Sequence, residues 1–429
     1  MRSALSVRQM GQNGMSSVSR AAAYAAGLVG LIGAVFADPA QALTARDMAA
    51  AAGLGYFGIT QGDTPVFRAN DDPHPDIFLN AHNGEPWRMM LNRGDGTFTR
   101  VFASTFRKYD RHGCVAADFG GATGNKLPDG RQDLYCIVGA CQGACTRPFP
   151  NELWLRQPDG TFVNVAQQWG VGDEHGRGRA ASVVDVNRDG LPDLAIANLA
   201  SASFPSPNRL FINRGGRFEE VVNTPLRRES GSECMASFVR RDGYSDILYC
   251  AKRTATGGPG ILTYRNNQGA YQDVTASTAY RTLGARDIRF ADVSGDGRPD
   301  LLVVTAGELS VWLNVNDTFP QRSFTQRIAE GRSVAACNVD NDARRSLDLY
   351  VVQGKPQKQN VQHPDFVLLN DGSGRSFTRF SGLPQLTTGD GDIATCIPDW
   401  RGTGHGAVLV TNGKWKTSGP NQLLVFSNR

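Results

Sequence analysis

Short apolar runs bounded by Gly, Asn, Asp and Pro recur along this chain, and most follow an aspartate. Ile77-Phe78-Leu79 follows Asp76, Leu134-Tyr135-Cys136 follows Asp133, and Leu194-Ala195-Ile196 follows Asp193. Ile247-Leu248-Tyr249, Leu301-Leu302-Val303 and Leu349-Tyr350-Val351 follow Asp246, Asp300 and Asp348; in the last unit Val408-Leu409-Val410 follows Ala407. Runs this short, rich in β-branched and aromatic residues and punctuated by turn formers, predict strands rather than helices.

The aspartate-led run returns about every 55 residues, the signature of a repeat architecture. Each unit adds a third apolar run (87–91, 153–155, 210–212, 261–264, 311–313, 366–369, 423–426). A Gly/Asn/Asp turn then leads to a fourth strand marked by Phe or Tyr, as at Phe98, Phe162, Phe218, Tyr271, Phe324 and Phe377. A four-strand meander buries little alone, whereas blades stacked in a ring cover both faces of each sheet. The expectation is an all-β, seven-bladed β-propeller of four-stranded antiparallel blades over residues 43–429. An open β-solenoid fits less well, because its repeats are usually shorter. The seventh unit ends at its third strand. The segment from Leu43 to Met48, followed by Gly53-Leu54, resembles the fourth strand at 162–165 followed by Gly170-Val171. It is therefore expected to close the ring as the outer strand of blade seven. The competing reading is a short helix capped by Thr44.

Between first and second strands, two units carry a full set of oxygen ligands. Asp185, Asn187, Asp189 and Asp193 occupy positions 1, 3, 5 and 9 of one loop, and Asp292, Ser294, Asp296 and Asp300 those of the other. The backbone carbonyl of Leu191 or Arg298 adds an oxygen at position 7, and glycine at position 6 allows the turn. Hard oxygen donors in this order are the ligand logic of a calcium loop, although no glutamate at position 12 completes an EF-hand. Structural Ca2+ fixing the strand-one to strand-two turn is the expectation. Asn338, Asp340, Asp342 and Asp348 in unit six, and Asp118, Asp129 and Asp133 in unit two, are weaker sets. Unit four has Phe238 and Arg240 where ligands should stand, and unit one has Arg68 at position 1. Asp and Asn that merely satisfy their own turn are the competing explanation, strongest in these decayed loops.

The Asp-x-[Asn/Ser]-x-Asp-Gly-x-Pro-Asp-Leu loop, with the Asn-x-Gly-x-Phe turn after it, resembles the FG-GAP/VCBS repeats of the integrin α-subunit head and many secreted bacterial proteins. The resemblance spans roughly residues 44–429 and is sharpest in blades three and five. It implies a calcium-stabilised seven-bladed ring that usually binds proteins or glycans; it implies no single activity.

The first 42 residues differ from the rest. Arg2, Arg8 and Arg20 precede an apolar run at 21–37, and Ala40-Gln41-Ala42 offers small residues for cleavage. This reads as a signal peptide, so a periplasmic or extracellular location is expected. The run is Ala/Gly-rich and no other segment is long enough to span a bilayer. The whole chain carries net charge +4, and the part after residue 42 is nearly balanced, which argues against nucleic acid. All eight cysteines lie in that part, as expected of disulfides in an exported protein. The blade frame suggests Cys114–Cys136 and Cys234–Cys250. Their offsets from the preceding aspartate differ by one residue, however, which reverses the side-chain face. Cys141 and Cys145 could close a local loop, and Cys337 and Cys396 sit on the first strands of neighbouring blades. A zinc site is the alternative use of these cysteines.

Loops joining strands two and three, and each blade to the next, share one end of the ring. They carry Lys252, Arg253, Lys355, Lys358, Lys414 and Lys416 with Phe149, Phe204 and Trp415. A basic rim with aromatics suits an acidic glycan or an acidic protein surface. Arg93-Gly94-Asp95 spells an adhesive tripeptide but occupies the recurrent third-to-fourth-strand turn. Serine-hydrolase, zincin and P-loop signatures are absent. Glu174, His175 and Arg177, beside a blade entrance, are the first catalytic candidates. The expected function is a monomeric, non-catalytic binding or adhesion module for a protein or glycan. The alternative is a secreted carbohydrate-active enzyme, a polysaccharide lyase or glycosidase, using the channel mouth.

Overall fold

The computed structural model describes residues 43–55, 62–79, 87–101, 106, 109–121, 126–139, 150–199, 205–227, 232–251, 260–340, 346–354, 363–384, 391–414, 417–418 and 420–428. These belong to the compact unit Gln41–Arg429. The proposed leader, Cys141 and Cys145, Asp342, and most of the rim residues (Phe149, Phe204, Lys252, Arg253, Lys355, Lys358, Trp415 and Lys416) lie outside the described residues.

Seven antiparallel sheets form the ring; six are meanders of four strands in sequence order, and the seventh draws its outer strand from the other end of the chain and adds a short strand, Thr417–Ser418. Blade one is Val66–Phe67, Asp76–Leu79, Arg88–Asn92 and Phe98–Val101. Blade two is Arg111–Ala117, Asp133–Val138, Glu152–Arg156 and Phe162–Asn164. Blade three is Gly178–Val184, Asp193–Asn198, Arg209–Asn213 and Phe218–Glu220. Blade four is Ser232–Val239, Ser245–Ala251, Ile261–Asn267 and Ala270–Asp273. Blade five is Ala285–Ala291, Asp300–Thr305, Glu308–Trp312 and Arg322–Arg327. Blade six is Gly331–Cys337, Asp348–Gln353, Phe366–Asn370 and Phe377–Phe380. Among the described residues the only helical element is a 3-10 turn, Thr275–Ser277. No helix among them is long and apolar enough to cross a membrane.

Blade seven takes Gly391–Ile397, Ala407–Lys414 and Gln422–Asn428 from the C-terminal end and Leu43–Asp47 from the other. Leu43 pairs with Asn428 and Asp47 with Leu424, so the expected closing strand is present. The helix reading of this segment fails: Thr44 Oγ1 donates to the Ser427 carbonyl across the pair at 3.1 Å. The cap belongs to Asp47 instead, whose Oδ1 accepts the N–H groups of Ala49 at 2.9 Å and Leu423 at 3.1 Å.

The core lies between the blades as a set of wedges. Tyr135, Leu153 and Leu155 of blade two meet Leu194, Ile196 and Phe211 of blade three. Ile77, Leu79 and Met90 of blade one meet Trp400, Leu409 and Leu423 of blade seven across the seam. Period-two alternation sends successive side chains of one strand to opposite neighbours. Every blade is thus apolar on both faces, which is why its strands read as continuous apolar runs. The first strands of blades two to seven each carry a register shift near their start, for example between Gly178 and Ala180 and between Gly391 and Ile393.

Blade four departs from the sequence frame. Phe238 pairs with Asp246 and Val239 with Ser245, whereas in blade three it is Val184 that pairs with Asp193. Phe238 therefore occupies the place of Val184, not of the first ligand, and the hairpin loop is one residue shorter. The same deletion explains the cysteines. Cys114 and Cys136 are direct cross-strand partners and face blade one. In blade four both cysteines shift together, so Cys234–Cys250 lies on the opposite face, toward blade five. A third bridge, Cys337–Cys396, joins the first strands of blades six and seven.

Candidate metal centre

In blade three the loop from Asp185 to Pro192 is held by the side chains of its own candidate ligand residues. Asp185 Oδ2 accepts the N–H of Gly190 at 3.1 Å, Asn187 Oδ1 that of Asp189 at 3.2 Å, and Asp189 Oδ1 that of Leu191 at 2.9 Å. Gly190 has φ 80° and Arg188 φ 61°, so the loop turns through left-handed backbone at both residues. Asp193 begins the second strand, fully buried. Burial pushes its carboxyl up to about 7, two backbone N–H groups lower it, and the charges of Asp189 and Asp185 raise it.

Blade five repeats the arrangement. Asp292 accepts the N–H groups of Asp296 at 3.1 Å and Gly297 at 2.8 Å, and Asp296 accepts that of Arg298 at 3.0 Å. Ser294 donates its N–H to Asp300 Oδ2 at 2.9 Å. The Arg298 guanidinium, on the position-7 residue, pairs with the Asp296 carboxylate. The bond between the position-1 Asp and the N–H of the position-6 Gly is shared with two further blades. It recurs as Asp118 with Gly130 in blade two and Asp399 with Gly404 in blade seven. The insertion in blade two therefore leaves this bond intact.

The residues fit a hard cation best in blade three. Asp185 Oδ1 is buried and has no hydrogen-bond partner, and a carboxylate oxygen in that state calls for a cation or a donor. Asp185, Asn187, Asp189 and Asp193 supply only oxygen ligands, which suits calcium or magnesium. Asn187 Nδ2 donates to Asp189 Oδ2 at 2.8 Å, so its amide must turn before its oxygen can join. Among the described residues no three His, Cys, Asp or Glu side chains converge closely enough to hold a metal as they stand. In blade five Arg298 already neutralises Asp296. In blade six, Asp348 accepts the N–H groups of Val339 and Asn370 at 3.0 and 2.9 Å.

The position-9 aspartate has a second task that the sequence did not disclose. One carboxylate oxygen holds the hairpin loop and the other holds the end of the third strand. Asp193 takes the N–H groups of Val186 at 2.8 Å and Asn213 at 2.7 Å; Asp76 takes those of Ala69 and Asn92, both at 2.8 Å. The third-strand asparagine then reaches the preceding blade. Its Nδ2 donates to the carbonyl of loop position 2 in that blade. The pairs are Asn213 to Phe119, Asn266 to Val186, Asn370 to Val293, and Asn92 to Trp400 across the seam, at 2.7 to 3.0 Å. The recurrent Asn before a Gly turn was visible in the sequence but read only as a turn former. Blade seven has Ala407 for the aspartate, and its strand register puts Phe426 at the asparagine position; both members of the pair are replaced together.

At the other end, Glu174 and His175 are exposed, and the half-buried Arg177 donates its N–H to Ser206 Oγ at 2.8 Å. The buried acid there is their neighbour Asp173, bonded to Arg209 and Asn198 at 2.8 Å each. The central channel is bridged: Asp63, just before blade one, pairs with Arg289 on the first strand of blade five at 2.5 Å, and Asp287 pairs with the same guanidinium at 3.0 Å.

Comparison with known proteins adds the following. A family model described as "FG-GAP-like repeat" matches residues 128–196, 239–303 and 292–351. Cartilage acidic protein 1 of Mus musculus is 35% identical over 160 residues, 36% of this chain and 21% of that protein. Cartilage acidic protein 1 of Homo sapiens is 40% identical over 78 residues, 17% of this chain and 11% of that protein. The chain thus aligns with about a fifth or less of the length of these relatives. A solved chain from a crystal structure of BBS1N in complex with ARL6DN covers 87% of this chain and 94% of its own length, with TM-score 0.47 and 9% identity. With the repeat matched in three stretches and its hairpin rebuilt blade after blade around a closed ring, the chain is a seven-bladed β-propeller that carries FG-GAP-like repeats.

Proposed function

We propose that this chain is an exported, calcium-stabilised propeller that works as a non-catalytic binding module for a protein or an acidic glycan. The observation that carries the calcium part is the partnerless buried Asp185 Oδ1 inside an all-oxygen loop. A cation there offsets the repulsion among the three carboxylates, of which Asp193 is pushed upward by burial and by the charges of Asp189 and Asp185. Export is supported by three disulfides, which persist in oxidising compartments, together with the leader-like residues 1–42. The binding part is supported by the bridged channel. With Asp63 and Arg289 spanning it, the loops at the two ends of the ring are the surfaces left for a partner, and binding residues concentrate on such loops.

The test joins a melt to a binding assay on the chain beginning at Leu43. Calcium should raise the melting temperature and EGTA lower it, with metal counted on the same sample; a ligand of the folded state alone must act so. Immobilised protein should then retain a sulfated or uronate-rich glycan, or an acidic protein, over a neutral glycan. No bound metal and no shift would remove the calcium part. Release of new reducing or unsaturated ends from a polysaccharide would replace the binding reading with an enzymatic one.

A further inference from the structure

Blade four lacks the backbone N–H that loop position 2 gives the aspartate elsewhere, because its hairpin is one residue shorter. Asp246 is nonetheless almost wholly buried. Two arginines converge on it. Arg240, in the hairpin turn, places Nη1 at 2.8 Å from Asp246 Oδ1, and its Nη2 also pairs with Asp242. Arg265, on the third strand, brings Nε to 3.5 Å from Asp246 Oδ2. The residue corresponding to Arg265 is apolar in the other blades described: Leu91, Leu155, Ile212, Leu313 and Leu369. The turn itself is fixed by Arg240 N–H to the Tyr244 carbonyl and Gly243 N–H to the Arg240 carbonyl, both at 2.9 Å.

We infer that Arg240 and Arg265 are a built-in counter-ion for Asp246, so that blade four is clamped by its own guanidinium groups and needs no metal. The Arg240 side chain is only 9% exposed, which separates it from the surface pairs Arg131–Asp129 and Arg298–Asp296, at 27% and 34% exposed arginines. Those two neutralise position 5 and leave the buried aspartate untouched; Arg240 reaches both. A carboxylate at this depth needs a cation or several donors. Burial pushes Asp246 upward, and the Asn266 N–H with the two arginines pulls it back. Arg188 of blade three stacks on Tyr244 at 5.3 Å, so the self-clamped hairpin also buttresses the loop proposed to take calcium. This assignment goes beyond the calcium reading and stands apart from it.

The test uses the full chain with Arg240→Met, Arg265→Leu, Asp246→Asn and their combinations, followed by urea denaturation and by hydrogen exchange of residues 239–246. Each arginine variant should lower the denaturation midpoint. Asp246→Asn added to the double arginine variant should recover at least half of that loss, because the charge that needed neutralising is gone. In a chain carrying Asp185→Asn, which silences the blade-three loop, exchange of 239–246 should be the same in calcium and in EGTA. Arginine losses that Asp246→Asn does not relieve, or a hairpin that still exchanges faster in EGTA in that background, would overturn the assignment.

Discussion

Asn92 of blade one donates its side-chain amide to the carbonyl of Trp400 in blade seven at 2.9 Å. The bond joins residues 308 apart in sequence and is the seam's copy of a staple that repeats around the ring. Its Oδ1 meanwhile accepts the N–H of Gly94, so one amide serves both its own turn and its neighbour. Asn92→Ala and Asn213→Ala should each strand buried carbonyls and cost about 1–3 kcal/mol. Thermal unfolding of the two variants checks this; unchanged melting temperatures would reduce the staple to a bystander.

Asp365 predicts a pH dependence. It is buried at the start of the third strand in blade six, where it accepts the Tyr350 hydroxyl at 3.0 Å and the Gln353 N–H at 2.8 Å. Burial raises its carboxyl to about 7. A raised acid favours folding fully below its unfolded value near 4 and loses that contribution as pH climbs through about 7, by up to about 4 kcal/mol. Blade two carries Asn151 in this place, bonded to Val138 N–H and to the Tyr135 hydroxyl. Asp365→Asn should therefore gain stability at pH 8 relative to the wild type and flatten the slope between pH 4 and 8. Urea midpoints across that range decide it; parallel curves for the two proteins would refute it.

Removal of the Cys337–Cys396 bridge should cost most among the three disulfides of the described residues. It spans 59 residues, against 22 and 16 for the others. Loop-closure entropy gives it about 4 kcal/mol, somewhat more than the local bridges. Paired Cys→Ser variants, melted without reductant, should rank in that order.

Asp185→Asn tests the calcium reading at one oxygen. It keeps the size of the side chain, yet removes the charge of the carboxylate whose Oδ1 has no partner. At a calcium concentration 100 times the dissociation constant, the wild type should gain about 2.7 kcal/mol from a single site, and the variant much less. Equal calcium shifts in both would place the ion elsewhere.

The repeat, the seven blades and the closing strand were legible because they depend on local spacing. Asp76 through Asp348 mark the second strand of blades one to six, and Leu43–Asp47 imitates a fourth strand closely enough to find its place. What stayed hidden depends on a second strand or a second blade. The carboxylate of Asp193 meets Asn213 only after the third strand has folded back, and Asn213 meets Phe119 only across a wedge. Blade four misled for a different reason. A one-residue deletion in its hairpin shifts strand register without altering the apolar run. Phe238 and Arg240 therefore read as lost ligands, when one had moved to the strand and the other had become the cation.

The closing strand also sets how the ring responds to pulling. Leu43 lies opposite Asn428, so segments leading away from these two residues leave the sheet at the same end. A load applied through them peels the strand pair one rung at a time, like a zipper, instead of shearing all rungs together. Opening would thus begin at low force in blade seven. It would then meet the covalent stop at Cys337–Cys396, so that the ring yields at one hinge while blades one to six keep their order.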